Sequence, residues 1–233
     1  MIENNENKNN DLTPLEDSKN NKSYYQTDDE YLLHVKVAVN NSNQKDIDPI
    51  LTAYGYPQSK IEEGKALYEI ALDKQKKQVQ EYGEQYTATE KLTKAIAEAG
   101  EEYLVHVKIA NVAFRNQKGV LAEIAALGER KKTQAGWITQ ANTFYKNLLA
   151  KPEYVIAMAK FGQTGEILTA SAAKFKTISD LYDSRQKETG EAQTATKERD
   201  KAIAILDEWF TDYADIAVIA LSKKPDLLEI LGL

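Results

Sequence analysis

The sequence predicts an all-α protein, an antiparallel helical bundle built from two duplicated helical hairpins. Three observations predict it. Only five Pro and 11 Gly interrupt 233 residues. Apolar residues recur at three- and four-residue intervals, the helical period, and nowhere alternate convincingly as in a strand. Finally, the chain superposes on itself when shifted by 107 residues, which places Gly55 on Gly162, Gly83 on Gly190 and Lys94-Ala95-Ile96 on Lys201-Ala202-Ile203.

The elements follow in order. Residues 1–27 are Asn-rich and polar, with acidic residues among the lysines and no apolar core, so they read as a disordered tail and not as a signal peptide. Residues 28–233 form the folded part, expected as one domain with one core. Tyr31, Val35 and Ala38 carry a first helical stripe. Ile61, Gly64, Tyr68, Ala71, Leu72, Gln75, Val79 and Tyr82 carry the next, and Leu92, Ile96, Ala99, Tyr103, Val107, Ala110 and Phe114 continue it. A helix from Thr133 to Leu149 shows Ile138, Ala141, Tyr145 and Leu148 on one face. Later stripes run through Leu168, Ala172, Phe175, Ile178 and Tyr182, then through Leu206, Phe210, Tyr213, Ala217 and Leu221.

The two copies span residues 55–115 and 162–222. Each has a polar midpoint reading Gly-Glu-x-x-Thr-Ala-Thr, at Gly83–Thr89 and Gly190–Thr196. If the glycines end one helix and the threonines cap the next, each copy is a hairpin. If not, each is one helix of about 60 residues, near 90 Å at 1.5 Å per residue. The scarcity of apolar residues in 74–91 and 183–200 favours the hairpin. A shorter echo relates Tyr31–Ala38 to Tyr103–Ala110. Four segments end in Gly, at Leu51–Gly55, Ile124–Gly128, Met158–Gly162 and Leu228–Gly232, and Pro49, Pro152 and Pro225 precede three of them. These suit short helices started by the fixed φ of Pro and ended by the left-handed freedom of Gly, and they are expected to gather at one end of the bundle.

Chemistry is sparse. There is no Cys, hence no disulfide, thiolate nucleophile or thiolate metal site. A net charge of -6 disfavours nucleic acid, whose binding rests on neutralising phosphates. The one basic cluster, Arg130-Lys131-Lys132, reads as a solvated helix start. No apolar run is long enough to cross a membrane, and the cytoplasm is the expected compartment. His34 and His106 hold equivalent places in the shorter echo, each three residues after a Tyr, so Tyr31, His34, Tyr103 and His106 are the candidate binding set. The Glu-x-x-His pattern of a di-iron bundle is absent, and neither metal nor cofactor is expected. Trp209, Phe210, Tyr213 and Ile216 form a candidate partner patch. Adjacent carboxylates at Glu62-Glu63, Glu101-Glu102 and Asp207-Glu208 point about 100° apart on a helix and read as solvated charges. No nucleotide, serine-hydrolase or zinc-protease motif occurs.

The expected function is therefore a non-enzymatic structural or interaction protein that self-associates or docks a protein partner. It would use apolar strips near the helix ends or the two polar hairpin tips. The rival is a small-molecule binder or an unfamiliar enzyme with a pocket near His34 and His106. A membrane-inserting helical protein is the third possibility. The closing segment Lys224–Leu233 resembles the C-terminus of bacterial helical proteins without an assigned activity, and that likeness implies none here.

Overall fold

A computed structural model describes residues 27–233; all but the last residue of the expected tail lies outside the described residues. The fold is all-α, with no strand among the described residues. Its helices are α1 (Asp28–Asn41), α2 (Asp48–Ala53), α3 (Gln58–Ala113), α4 (Lys118–Glu123), α5 (Gln134–Leu149), α6 (Pro152–Ala159), α7 (Gly165–Ala220) and α8 (Pro225–Leu231).

The hairpin expectation is overturned. α3 and α7 are single helices of 56 residues each. Neither midpoint breaks, and the side chains explain why. Thr87 donates to the Gly83 carbonyl and Thr194 to that of Gly190, four residues back in each case, both at 2.9 Å. Thr89 and Thr196 do the same to Gln85 and Ala192. A threonine bonding back to the preceding turn sits inside a helix and does not cap one. Gly83 and Gly190 have helical dihedrals and open space where a Cβ would project. The polar composition that suggested a turn suits a stretch in which each helix offers one narrow stripe. There Lys74 reaches Glu198 at 2.8 Å, and Leu92, Ala192 and Ala195 are buried. Val79 and Tyr82, expected on the interior stripe, face outward.

Packing divides the chain into two compact units. The first holds residues up to Tyr68 and Trp209–Leu233; the second holds Glu69–Glu208. Of the short helices, α1, α2 and α8 belong to the first unit and α4, α5 and α6 to the second. In the first unit, α1 starts at a complete capping box, with Thr27 accepting from the Glu30 amide and Glu30 accepting from that of Thr27. Tyr31, Leu32, Val35, Ala38 and Val39 are buried on it, as are Ile47, Leu51, Ile61, Ala217, Leu221 and Leu231 elsewhere in the unit. α1 packs on α8, and Asn41 donates to the Ile230 carbonyl at 2.7 Å.

The second unit is made of matching parts. Thr133 caps α5 as Thr27 caps α1, and Asn147 donates to the Glu123 carbonyl at 2.6 Å, as Asn41 does to Ile230. α3 and α7 begin 107 residues apart, at 58 and 165, and end 107 apart, at 113 and 220. Buried Ile61, Gly64, Tyr68 and Ala71 of α3 fall on buried Leu168, Ser171, Phe175 and Ile178 of α7. The core of the second unit gathers Tyr103, Trp137, Phe144, Tyr145, Met158, Leu168 and Phe175.

The short-helix ends follow the Pro/Gly reading at Gly55, Gly162 and Gly232, all with positive φ. The fourth end differs. α4 stops at Glu123 and Ala125 takes the left-handed conformation, φ 54°, while Gly128 lies further along the loop.

Two glycines give opposite expectations. A Cβ on Gly64 would overlap the Trp209 ring, so Gly64→Ala lowers stability by about 1–3 kcal/mol through overpacking. Gly83→Ala, in open helical space, raises it by about 0.5–1 kcal/mol. Urea unfolding of the two variants checks both signs; a loss of stability in Gly83→Ala would reinstate a turn there.

Candidate functional site

The four candidate binding residues divide two and two between the units, and each pair has its own surroundings. Tyr31 and His34, one turn apart on α1, meet Phe210 edge-on, at 6.2 and 5.3 Å between ring centroids. His34 also lies beside Gly232, and burial lowers its pKa. Trp209 stacks on Tyr213 at 5.3 Å and 7°, Tyr56 meets both rings edge-on, and Tyr213 shares a 2.7 Å hydrogen bond with Ser42. Of the expected partner patch, Phe210 is 6% and Tyr213 0% exposed, while Trp209 and Ile216 are half-buried. What α7 leaves outside near this end is Val218 and Ile219.

In the second unit the same positions carry polar side chains. Shifting by 107 puts His106 in the place of Tyr213, Glu102 in that of Trp209, Gln163 in that of Tyr56 and Ser171 in that of Gly64. His106 is 2% exposed, and its Nδ1 lies 2.9 Å from the Tyr145 hydroxyl. Ser171 donates to Glu102 at 2.7 Å, with the Ile167 carbonyl 3.0 Å from the same hydroxyl as the alternative acceptor, and Lys174 pairs with Glu102. Tyr103 packs among Trp137, Phe144, Tyr145 and Phe175; burial pushes its hydroxyl up to about 12, with Arg130 opposing. Burial lowers the His106 pKa against the pull of Glu102 and the hydrogen bond of Gln163, while Lys174 adds to the lowering. Hydrogen bonds from Lys174 and Ser171 hold the Glu102 carboxyl below its ordinary value despite the burial that works the other way.

Sequence reasoning missed Glu102, Tyr145, Gln163 and Ser171 as a group. Glu102, expected as a solvated charge, is tied into the unit by Lys174 and Ser171. Asp207, read the same way, is buried. The available signal was the 107-residue shift, which sets polar residues of one segment against aromatic rings of the other.

A third cluster lies midway along α3 and α7. Glu81, Glu188 and Glu191 bring carboxylate oxygens within 4.8 Å of one another, and Lys187 supplies a counter-charge to Glu191 at 3.2 Å. Glu81 and Glu188 are 107 residues apart, as are Glu84 and Glu191. On the outer side of the same stretch Val79, Tyr82 and Tyr86 are 60, 39 and 69% exposed. Spacings of three and four residues set them on one face of α3.

No family model, curated protein or solved structure matches the chain.

The buried imidazoles have a pH consequence. A folded His that holds its proton less tightly than the unfolded one leaves the unfolded chain binding more protons below about pH 6.5, so stability falls as pH drops through that value. Urea midpoints at pH 7.5 and 5.5 are expected to differ, and His106→Gln reduces the difference because the side chain then has no proton to gain. An unchanged pH dependence in that variant contradicts a buried neutral His106.

Proposed function

We propose that the chain is a non-enzymatic interaction protein that docks a protein partner, or a second copy of itself, along the midsection of α3. The observation that carries this reading is the outward strip of Val79, Tyr82 and Tyr86. Large apolar side chains cost little when scattered singly over a surface, but three at helical spacing make a face that water solvates poorly. Tyrosine suits such a face, since its ring supplies contact area with few rotors to freeze and its hydroxyl tolerates water when the partner is absent.

The reading of the two copies as a duplication is supported by the matching caps, clamps and helix bounds. Identity between the copies is dense at the midpoint, where Glu81, Gly83, Glu84, Thr87, Ala88 and Thr89 recur as Glu188, Gly190, Glu191, Thr194, Ala195 and Thr196. Most of these are exposed or half-buried, so core packing does not account for their retention. The docking strip itself is particular to α3, since Val79, Tyr82 and Tyr86 fall on Gln186, Thr189 and Gln193 under the shift, and the reading rests on that strip. It keeps the expected polar midpoint as the place of interaction while replacing the tips of hairpins with the flanks of continuous helices.

No helix among the described residues is long and apolar enough to cross a membrane. The cytoplasm and the absence of a nucleic-acid partner stay part of the proposal, on charge and composition.

Light scattering coupled to size exclusion, together with pull-downs from lysate, tests the reading. The full chain is expected to give an associated species or a captured protein. Tyr82→Ala with Tyr86→Ala weakens it by about 2 kcal/mol per anchoring ring while leaving the helical circular-dichroism signal intact. A strict monomer that captures nothing, identical in both proteins, overturns it.

A further inference from the structure

The loop joining α4 to α5 lies outside both copies; backbone bonds from Ala126 and Leu127 to the Leu121 carbonyl fix its start, and one side chain bridges the rest. Gln140, on α5, donates from Nε2 to the Ala125 carbonyl at 3.3 Å and to that of Glu129 at 3.4 Å. Its Oε1 accepts from the Lys131 amide at 2.9 Å. Ala125 is held at φ 54°, a conformation that costs a residue with a Cβ of order 1 kcal/mol and persists where the surroundings enforce it. Arg130 is fixed too, its guanidinium 4.5 Å above the Trp137 ring.

Between this loop and α5 lies an open cavity of about 600 Å³, most of whose lining residues are exposed. Ala125 and Leu127 line one part of it; Lys131, Thr139 and Thr143 line another, with Gly136 between. Thr143 spends its hydroxyl proton on the Thr139 carbonyl. Glu129 stands on the rim as the one carboxylate. Arg130, Lys131 and Lys132 outnumber it, and none of the three has a carboxylate within ion-pair distance among the described residues. A chain of net charge -6 thus carries a local positive spot beside a preformed, partly apolar cavity.

We infer that this cavity binds a small organic anion, its phosphate or carboxylate on Lys131 and its short apolar body against Ala125 and Leu127. The site is independent of the docking face on α3. A lysine suits a singly anchored oxyanion because it acts as a point charge, and the pinned loop leaves little ordering to be done on binding.

Trp137 lies under Arg130 and serves as a reporter. In a Trp209→Phe background it is the single tryptophan, and hexyl phosphate, inorganic phosphate and hexyltrimethylammonium are each titrated at constant ionic strength. The inference expects saturable fluorescence change with hexyl phosphate, weaker saturation with inorganic phosphate, and none with the cation. Lys131→Ala weakens hexyl phosphate about tenfold, the loss of one charged contact. Lys132→Ala, off the cavity wall, changes it less than about threefold. Linear, non-saturating responses, saturation by the cation, or equal effects of the two lysine variants each overturn the inference.

Discussion

Everything in this fold depends on the unbroken backbone hydrogen bonding of α3 and α7 through their polar midsections. Helices of six to eight residues, such as α2, α4, α6 and α8, do not persist alone, because nucleating a helix costs more than so few bonds return. They hold only where the apolar ends of the long helices give them a surface. Each long helix therefore serves both compact units, lending its first turns to one core and its last turns to the other. The two asparagine clamps, Asn41 on Ile230 and Asn147 on Glu123, then tie the last turn of a short helix to the helix packed beside it and satisfy a carbonyl that would otherwise lack a partner.

The two units solve one packing problem in two chemical ways. In the first, Trp209, Tyr213 and Tyr56 fill the space with rings and require a glycine at position 64. In the second, the 107-residue shift sets Glu102, His106 and Gln163 at the corresponding positions and Ser171 at that of Gly64. Aromatic packing gains from dispersion and buried area. The polar version gains its stability only while every group stays bonded, since a buried polar group without a partner is costly. Its ionisable members tie this unit to pH.

Much of the fold was legible from the residues. The helical period, the threonine at the start of α5 and the Pro and Gly that bound the short helices all act locally, and local rules report them. The midpoints misled because Gly-Glu-x-x-Thr has the composition of a helix stop followed by a start. What decides between turn and helix is whether Thr87 and Thr194 bond forward to an amide or back to a carbonyl, and composition does not state that. The same limit applies to Tyr82 and Phe210. Both sit at helical spacing among apolar neighbours, yet Phe210 has α1 packed against it while Tyr82 lies where α3 turns a side to water. Burial there depends on which partner helix is present, and no local pattern encodes it. Glu102 was illegible for a related reason: the serine and lysine that hold it come from a helix about 70 residues away.

The continuity of α3 is tested most directly by a distance within it. The chain has no cysteine, so Lys76→Cys with Lys94→Cys, both exposed, takes two spin labels without background. Electron–electron double resonance is expected to give a separation near 27 Å, the rise of 18 residues in one straight helix. A separation of roughly 10 Å, the spacing of two packed helices, would mean that the chain turns back at Gly83 and would contradict the account.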